Sequence, residues 1–72
     1  MEDIVVKIDT EYIKLDSLLK HAGLVDSGGV AKEIIQGGEV FVNGEICLQR
    51  GRKIRANDKV EIGDYLIEVE GE

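Results

Sequence analysis

Residues 27–44 read SGGVAKEIIQGGEVFVNG, and this stretch contains the two changes of pattern that decide the fold. Ser27 is a favourable N-cap residue, and the apolar residues after it recur at helical spacing: Val30, Ala31, Ile34 and Ile35. We expect the helix to end at Gly37-Gly38, because the apolar residues then alternate with other residues, as in a strand. Asn43-Gly44 is a strong signal for a two-residue hairpin turn. The stretch therefore predicts a short helix followed by a β-hairpin.

The residues before this stretch predict a strand and another helix. Residues 3–8 are rich in β-branched side chains, which is typical of a short strand. Helical spacing begins at Leu15 and continues through Leu18, Leu19 and Ala22. Gly23 stands where a helix C-terminal glycine is expected. Both helices are near ten residues or fewer, so we expect them to need packing against each other or against a sheet.

The residues after the hairpin turn predict three further strands: Glu45 to about Leu48, Lys59–Ile62 and Tyr65–Val69. Residues 49–58 form a basic loop in this interpretation, with Ile54 as its apolar anchor. The resulting order, β-α-α-β-β-β-β, predicts an α+β fold in which two short helices pack on a small curved antiparallel sheet. Phe41 is out of phase with its apolar neighbours, which is too little to predict a dimer.

The length and composition limit the possible functions. A chain of 72 residues and 7.9 kDa has room for one domain, which we expect to span residues 1–72. Cys47 and His21 are the only cysteine and the only histidine, so disulfide frameworks and Cys/His metal sites are excluded and no cofactor is expected. We expect Cys47 to be a small buried hydrophobe. No signal peptide, membrane span or nucleophile elbow is present, which favours a cytoplasmic protein that is not an enzyme.

The charge distribution is uneven. The net charge is −6, yet residues 50–59 contain five bases and one acid, or +4, and residues 60–72 contain five acids and no base, or −5. The bases Arg50, Arg52, Lys53 and Arg55 would either pair with the acidic C-terminal strands or contact phosphates. The chain has only three aromatic residues, so recognition of a folded RNA by shape and backbone fits better than base stacking.

The helices contain further candidate contacts. Lys20 and His21 stand at the end of the first helix, where they would be solvated side chains or phosphate contacts. Ser27, Gly28 and Gly29 begin the second helix, whose free N–H groups would bind an anion or simply form a flexible helix entry. Lys32 lies one turn further along and favours the anion interpretation.

Three blocks of the sequence together resemble the S4 RNA-binding domain family. They are the stretch 12–20 (YIKLDSLLK), the stretch 27–32 (SGGVAK) and the stretch 38–44 (GEVFVNG). The chain is most similar to the small stand-alone bacterial S4 proteins of the YaaA/YbcJ type, over roughly residues 8–68. The resemblance implies an αL-type motif, in which two helices present basic side chains to structured RNA, typically ribosomal or transfer RNA.

The resemblance also implies particular contact residues. The family's basic position before Leu-Asp falls on Lys14, its helix-start serine on Ser27, and its basic position after alanine on Lys32. The basic stretch of the stand-alone members falls on Arg50, Arg52 and Lys53. Two positions depart from the family pattern: Gly28 stands where many S4 domains have arginine, and Asn57-Asp58 stands where they have Gly-Asp.

The expected function is therefore that of a non-enzymatic RNA-binding module in ribosome assembly or translation quality control. Its partner would be structured RNA, either ribosomal RNA (on the ribosome or a ribosomal precursor) or transfer RNA, with no membrane and no small-molecule substrate. The alternative is a protein-interaction adaptor whose basic loop docks an acidic protein. The expected RNA-binding surface comprises Lys14, Lys20, His21, Ser27, Gly28, Lys32, Arg50, Arg52, Lys53 and Arg55.

Overall fold

The computed structural model describes residues 1–72, which form two helices and seven strands. In chain order these elements are β1 (Glu2–Ile8), β2 (Ile13–Lys14), α1 (Leu15–His21), α2 (Gly28–Gln36), β3 (Val40–Val42), β4 (Glu45–Ile46), β5 (Lys53–Ile54), β6 (Lys59–Ile62) and β7 (Tyr65–Gly71). Neither helix has the length and apolar character needed to cross a bilayer. The α+β class, with two short helices packed on a sheet, is confirmed.

Five strands form the main sheet, in the order β1-β7-β6-β3-β4. The pairs β7–β6, β6–β3 and β3–β4 are antiparallel, as the sequence predicts. The expectation of a wholly antiparallel sheet is wrong at one edge, because β1 is parallel to β7. The two parallel strands stand at opposite ends of the chain, so the whole intervening domain serves as the long connection that a parallel pair requires.

The helix ends match the sequence signals. The Ser27 hydroxyl oxygen accepts a hydrogen bond of 3.3 Å from the Val30 N–H, so Ser27 caps the start of α2. Gly23 and Gly38, which follow α1 and α2, both have a φ of 79°. This left-handed conformation strains residues with a Cβ, so glycine at these two positions ends the helices and turns the chain.

The core lies between the helices and one face of the main sheet. Leu15, Leu18 and Leu19 of α1 are fully buried, as are Ala31 and Ile35 of α2. They join the inward-facing residues of the strands in one apolar cluster: Val6, Ile8, Val40, Val42, Val60, Ile67 and Val69. Cys47 is 5% exposed and belongs to the same cluster, which confirms its role as a small buried hydrophobe.

A second, two-stranded sheet was not predicted. Strands β2 and β5 pair antiparallel, with Ile13 opposite Ile54 and Lys14 opposite Lys53. Ile54 is fully buried, which confirms it as the apolar anchor of the basic loop. The return strand β4 ends at Ile46, two residues earlier than expected, and the chain then leaves the main sheet towards this small sheet.

Replacing Ile54 with alanine should lower the free energy of unfolding by about 2–5 kcal/mol, because the side chain is fully buried and leaves a cavity. The matched control is Ile46→Ala. Because Ile46 is 59% exposed, this change should lower the free energy of unfolding by about 0.5 kcal/mol or less. Urea unfolding followed by circular dichroism measures both. Equal losses in the two variants would contradict the assignment of Ile54 as a core anchor.

Candidate nucleic-acid interface

Helix α1 begins without a capping side chain. Its N-cap residue is Lys14, which makes no side-chain capping hydrogen bond. Backbone carbonyls of the basic loop accept from the first helical N–H groups instead: Leu15 N–H donates to the Arg52 oxygen at 2.9 Å and Asp16 N–H to the Arg50 oxygen at 3.1 Å. These bonds satisfy donors that a helix start otherwise leaves free. The basic loop is therefore attached to the start of α1.

The same attachment brings four basic residues together. Lys14 lies directly opposite Lys53 in the β2–β5 pair, and Arg50 and Arg52 lie on the segment whose carbonyls cap α1. All four residues are exposed. We call Lys14, Arg50, Arg52 and Lys53 the basic cluster. Lys14 is far in sequence from the other three members, and backbone hydrogen bonds bring its segment beside theirs.

Tyr12 limits the freedom of one member of the basic cluster. The Lys53 Nζ atom lies 4.9 Å from the centroid of the Tyr12 ring, which is a cation–π distance. The Tyr12 ring is half-buried, and the Thr10 hydroxyl donates a hydrogen bond of 2.9 Å to the Tyr12 carbonyl oxygen. At an exposed site such an interaction contributes about 0.5–1 kcal/mol. It therefore orients the Lys53 ammonium group without neutralising its charge.

The acidic C-terminal strands contact the basic loop through backbone atoms and not through charged side chains: Asn57 N–H donates to the Val69 oxygen at 2.8 Å, and Val69 N–H donates to the Asp58 oxygen at 3.2 Å. No arginine or lysine side chain donates any of the side-chain hydrogen bonds in the structure. The acidic side chains of β7 belong to the main sheet, whereas the basic cluster lies on the small sheet and its adjoining loop. The charges of the cluster are thus available to an external anion.

A hydrogen-bonded clamp holds the far end of the basic loop. Asp58 accepts from the Arg55 N–H at 2.8 Å through one carboxylate oxygen and from the Asn43 side-chain amide at 3.1 Å through the other. The Asn43 side-chain oxygen in turn accepts from the Lys59 N–H at 2.9 Å. We call Asn43 and Asp58 the clamp. It ties the β3–β4 hairpin turn to the turn that ends the basic loop.

Asparagine also suits the backbone at both turns. Asn43 has a φ of 50° and Asn57 a φ of 76°, and asparagine tolerates this left-handed region better than most residues. Sequence reasoning found the hairpin turn at Asn43 but missed its long-range partner. The available signal was Asp58, a lone acid in a basic segment.

The remaining candidate residues extend away from the basic cluster. Arg55 is exposed but lies beyond β5, in the turn that the clamp closes. Lys20 and His21 are exposed at the other end of α1, and Lys20 is six residues or about 9 Å along the helix axis from Lys14. Lys32 is exposed on α2, which packs against α1.

The start of α2 differs from that of α1 because its cap is local. The Ser27 oxygen is already committed to the Val30 N–H, so Ser27 acts first as a structural cap. A Cβ atom built on Gly28 would meet no heavy atom within 4 Å. The helix start is therefore open, and a larger side chain at Gly28 would extend into free space.

The structure offers few groups for metal binding or thiol chemistry. No group of three or more His, Cys, Asp or Glu side chains is arranged to hold a metal ion. The Cys47 thiol is buried and lies 3.6 Å from the Gln49 carbonyl oxygen, to which it donates. One shallow depression of about 310 Å³ lies beside the clamp, lined by Asn57, Asp58, Lys59, Glu68, Val69 and Glu70.

Comparison with known proteins supports the resemblance found in the sequence. A model of the S4 domain matches residues 6–70, nearly the whole chain. The chain belongs to the S4 domain family. The matched range contains both helices, the basic cluster and the clamp.

Two relatives of this S4 domain are informative. A probable ribosome maturation protein, RlbA, of Bacillus subtilis is 47% identical over 60 residues, which cover 83% of this chain and 84% of that protein. The solution structure of YbcJ from E. coli superposes with a TM-score of 0.69 at 28% identity, over 97% of this chain and 87% of that one. YbcJ is described as containing an alfaL motif involved in RNA-binding.

Replacing Asp58 with alanine should lower the free energy of unfolding by about 1–2 kcal/mol, because two hydrogen bonds to a carboxylate are lost. It should also speed amide hydrogen exchange at Arg55, whose N–H loses its acceptor. The control is Asp64→Ala, which removes an exposed turn carboxylate that makes no hydrogen bond. Urea unfolding measures the loss of stability, and NMR measures the amide exchange rate at Arg55. Equal changes in the two variants would contradict the clamp.

Proposed function

We propose that this S4 domain binds structured RNA, with ribosomal RNA as its target, in a ribosome-related process and without catalysing a reaction. The observation that carries the proposal is the placement of Lys14 directly opposite Lys53, beside a loop that contributes Arg50 and Arg52. An unpaired concentration of positive charge on an otherwise acidic chain favours a negatively charged ligand.

The charges of the basic cluster repel one another in the free protein. Residues directly opposite in an antiparallel pair have Cβ atoms about 5 Å apart, and like charges at that position destabilise the pair. Two unit charges at about 4 Å repel by about 1 kcal/mol even in water. A phosphate bound between Lys14 and Lys53 would offset this repulsion, because it attracts both ammonium groups. RNA supplies a series of phosphates, and each arginine of the cluster can bind one of them through two hydrogen bonds.

The scarcity of accessible aromatic rings favours folded RNA over an unstructured strand. Tyr12 is half-buried and already in contact with Lys53, so its ring is poorly placed to stack on bases. Binding of single strands relies on such stacking, whereas helical RNA is recognised through its shape and its phosphate and ribose groups. The basic cluster suits the second mode.

The helices would widen the contact beyond the basic cluster. In this proposal Lys20 and His21 of α1 and Lys32 of α2 reach phosphates that flank those at the cluster, since α1 and α2 pack side by side. The N–H groups that follow Ser27, beginning at Gly28, add neutral donors at the positive end of α2. Arg55 would contact the RNA at the edge of this surface.

The relatives support ribosomal RNA as the target. RlbA is named as a probable ribosome maturation protein, and YbcJ shares the fold and has a motif involved in RNA-binding. We therefore propose a role in ribosome assembly, within the cytoplasm, in preference to transfer RNA binding. The acidic remainder of the chain would repel phosphates elsewhere on the surface, so binding should be restricted to an RNA of the right shape.

The variant Lys14→Ala/Lys53→Ala should weaken binding to ribosomal RNA and reduce the slope of log K against log salt by about 2, one unit for each lost phosphate contact. The matched control is Lys7→Ala/Lys59→Ala, which removes two exposed strand lysines outside the basic cluster. Both variants make the same change in net charge. Filter binding or fluorescence anisotropy across a salt series gives the slopes.

Two results would count against the proposal. Equal losses in the two double variants would mean that net charge, and not the basic cluster, determines binding. If the wild-type protein binds neither ribosomal nor transfer RNA at low salt, the cluster must serve another anion, and an acidic protein partner becomes the explanation to test. Circular dichroism spectra would verify that both variants are folded.

Replacing Gly28 with arginine should increase the affinity for RNA and steepen the salt slope by about one unit, because it adds a cation beside Ser27. A Cβ atom at Gly28 would meet no heavy atom within 4 Å, so a side chain can start there without a clash. The control is Gly28→Gln, which has a long side chain without the charge and should leave the slope unchanged. An unchanged slope for the arginine variant would show that the start of α2 does not face the RNA.

A further inference from the structure

The face of the main sheet that points away from the helices carries a continuous row of side chains. The strand registers place them in order across all five strands: Asp3, Leu66, Glu61, Phe41 and Ile46. In the neighbouring row Val5 is opposite Glu68, which is opposite Lys59. Their neighbours along each strand, such as Val60 and Ile67, point the other way into the core. We call this surface the outer face.

The outer face contains apolar side chains that the core does not use. Phe41 and Leu66 are half-buried by their strand neighbours, yet neither packs against the core cluster. Ile46 is 59% exposed and Val5 is 50% exposed. The side chains of Phe41 and Ile46 lie directly opposite each other on the paired strands β3 and β4. Exposed apolar side chains that lie next to each other and are rimmed by polar residues commonly mark an interaction site.

Acidic residues surround and interrupt these apolar side chains. Glu61 lies between Leu66 and Phe41, and Asp3 ends the row at β1. Glu68 and Glu70 follow on β7, where Lys59 and Lys7 are their strand neighbours. The four acids exceed the two lysines, so the outer face has a charge of −2 among these residues, opposite in sign to the basic cluster.

We propose that the outer face docks a basic amphipathic helix of a protein partner. In layered folds an apolar sheet face is covered by a helix, and here the helices α1 and α2 cover the other face only. Leucine-like side chains of the partner would contact Phe41 and Ile46, and lysine or arginine side chains flanking them would meet Glu61 and Glu68. RNA does not fit this face because its phosphates would meet four carboxylates. A second copy of the chain would bring two acidic faces together.

The docking surface and the RNA surface do not compete for space. The basic cluster lies on the small sheet and the start of α1, whereas the outer face lies on the side of the main sheet remote from α1. The protein could therefore hold an RNA and a basic protein at the same time. This inference is independent of the proposed function, since the outer face would be present whether or not the basic cluster binds RNA.

The test uses three synthetic helical peptides and ¹⁵N-labelled protein. The probe carries a leucine stripe flanked by lysines, one control replaces the lysines with glutamates, and the other replaces the leucines with serines. We expect only the probe to shift the amide resonances of Phe41, Ile46 and Leu66, while those of Lys14 and Lys53 stay unchanged. The affinity should fall as salt is raised, because the contacts with Glu61 and Glu68 are ionic.

Two variants distinguish binding at the outer face from nonspecific binding to exposed apolar side chains. Ile46→Ser should weaken binding of the leucine–lysine peptide by about fivefold or more, the size expected for one interface side chain. Val30→Ser removes a 43% exposed apolar side chain on α2 and should have no effect. The proposal is overturned if the glutamate peptide binds as well as the lysine peptide, if no peptide shifts the outer-face resonances, or if the two variants weaken binding equally. Self-association through these residues would overturn it as well.

Discussion

The hydrogen bonds from Leu15 N–H and Asp16 N–H to the carbonyl oxygens of Arg52 and Arg50 are the interaction on which the candidate site depends. The N-cap residue Lys14 has no side-chain acceptor for the first N–H groups of α1, and the basic loop supplies backbone acceptors for two of them. The helix start is thereby stabilised, and the loop is attached to it. Because the bonds use backbone atoms, the side chains of Arg50 and Arg52 stay available for a ligand.

In addition to the β2–β5 pairing and the backbone bonds of Asn57 and Asp58 to Val69, the loop is held at three points along its length. The backbone bonds to α1 hold its first part, the fully buried Ile54 holds its middle, and the clamp of Asn43 and Asp58 holds its end. This matters for recognition of a folded RNA. A flexible basic loop would lose conformational entropy on binding, and contacts that restrict the backbone beforehand lower that cost.

The distribution of charge over the fold explains how an acidic chain can bind a polyanion. Screening in physiological salt limits the influence of an exposed charge to about 8 Å, so a phosphate at the basic cluster responds mainly to its neighbours and not to the net charge of −6. Four of the fifteen acids, Asp3, Glu61, Glu68 and Glu70, lie on the side of the main sheet away from α1. The outer face and the basic cluster therefore have opposite charges.

The sequence by itself determined the local structure of this protein and its family. Helical spacing in α1 and α2, the Ser27 cap, the glycines after each helix and the Asn43-Gly44 turn are local signals, and each predicted an element that the structure contains. The three motif blocks identified the S4 family, and the surplus of bases in residues 50–59 marked the candidate site.

Only the tertiary structure decided which distant residues meet. The pairing of Lys14 with Lys53, the parallel pairing of β1 with β7, and the contact of Asn43 with Asp58 all join residues far apart in sequence. No periodicity records such contacts, because each depends on how the helices and sheets pack around the shared core. The same holds for Phe41, whose place outside the apolar alternation acquired a meaning only when the strand registers set it beside Ile46 on the outer face.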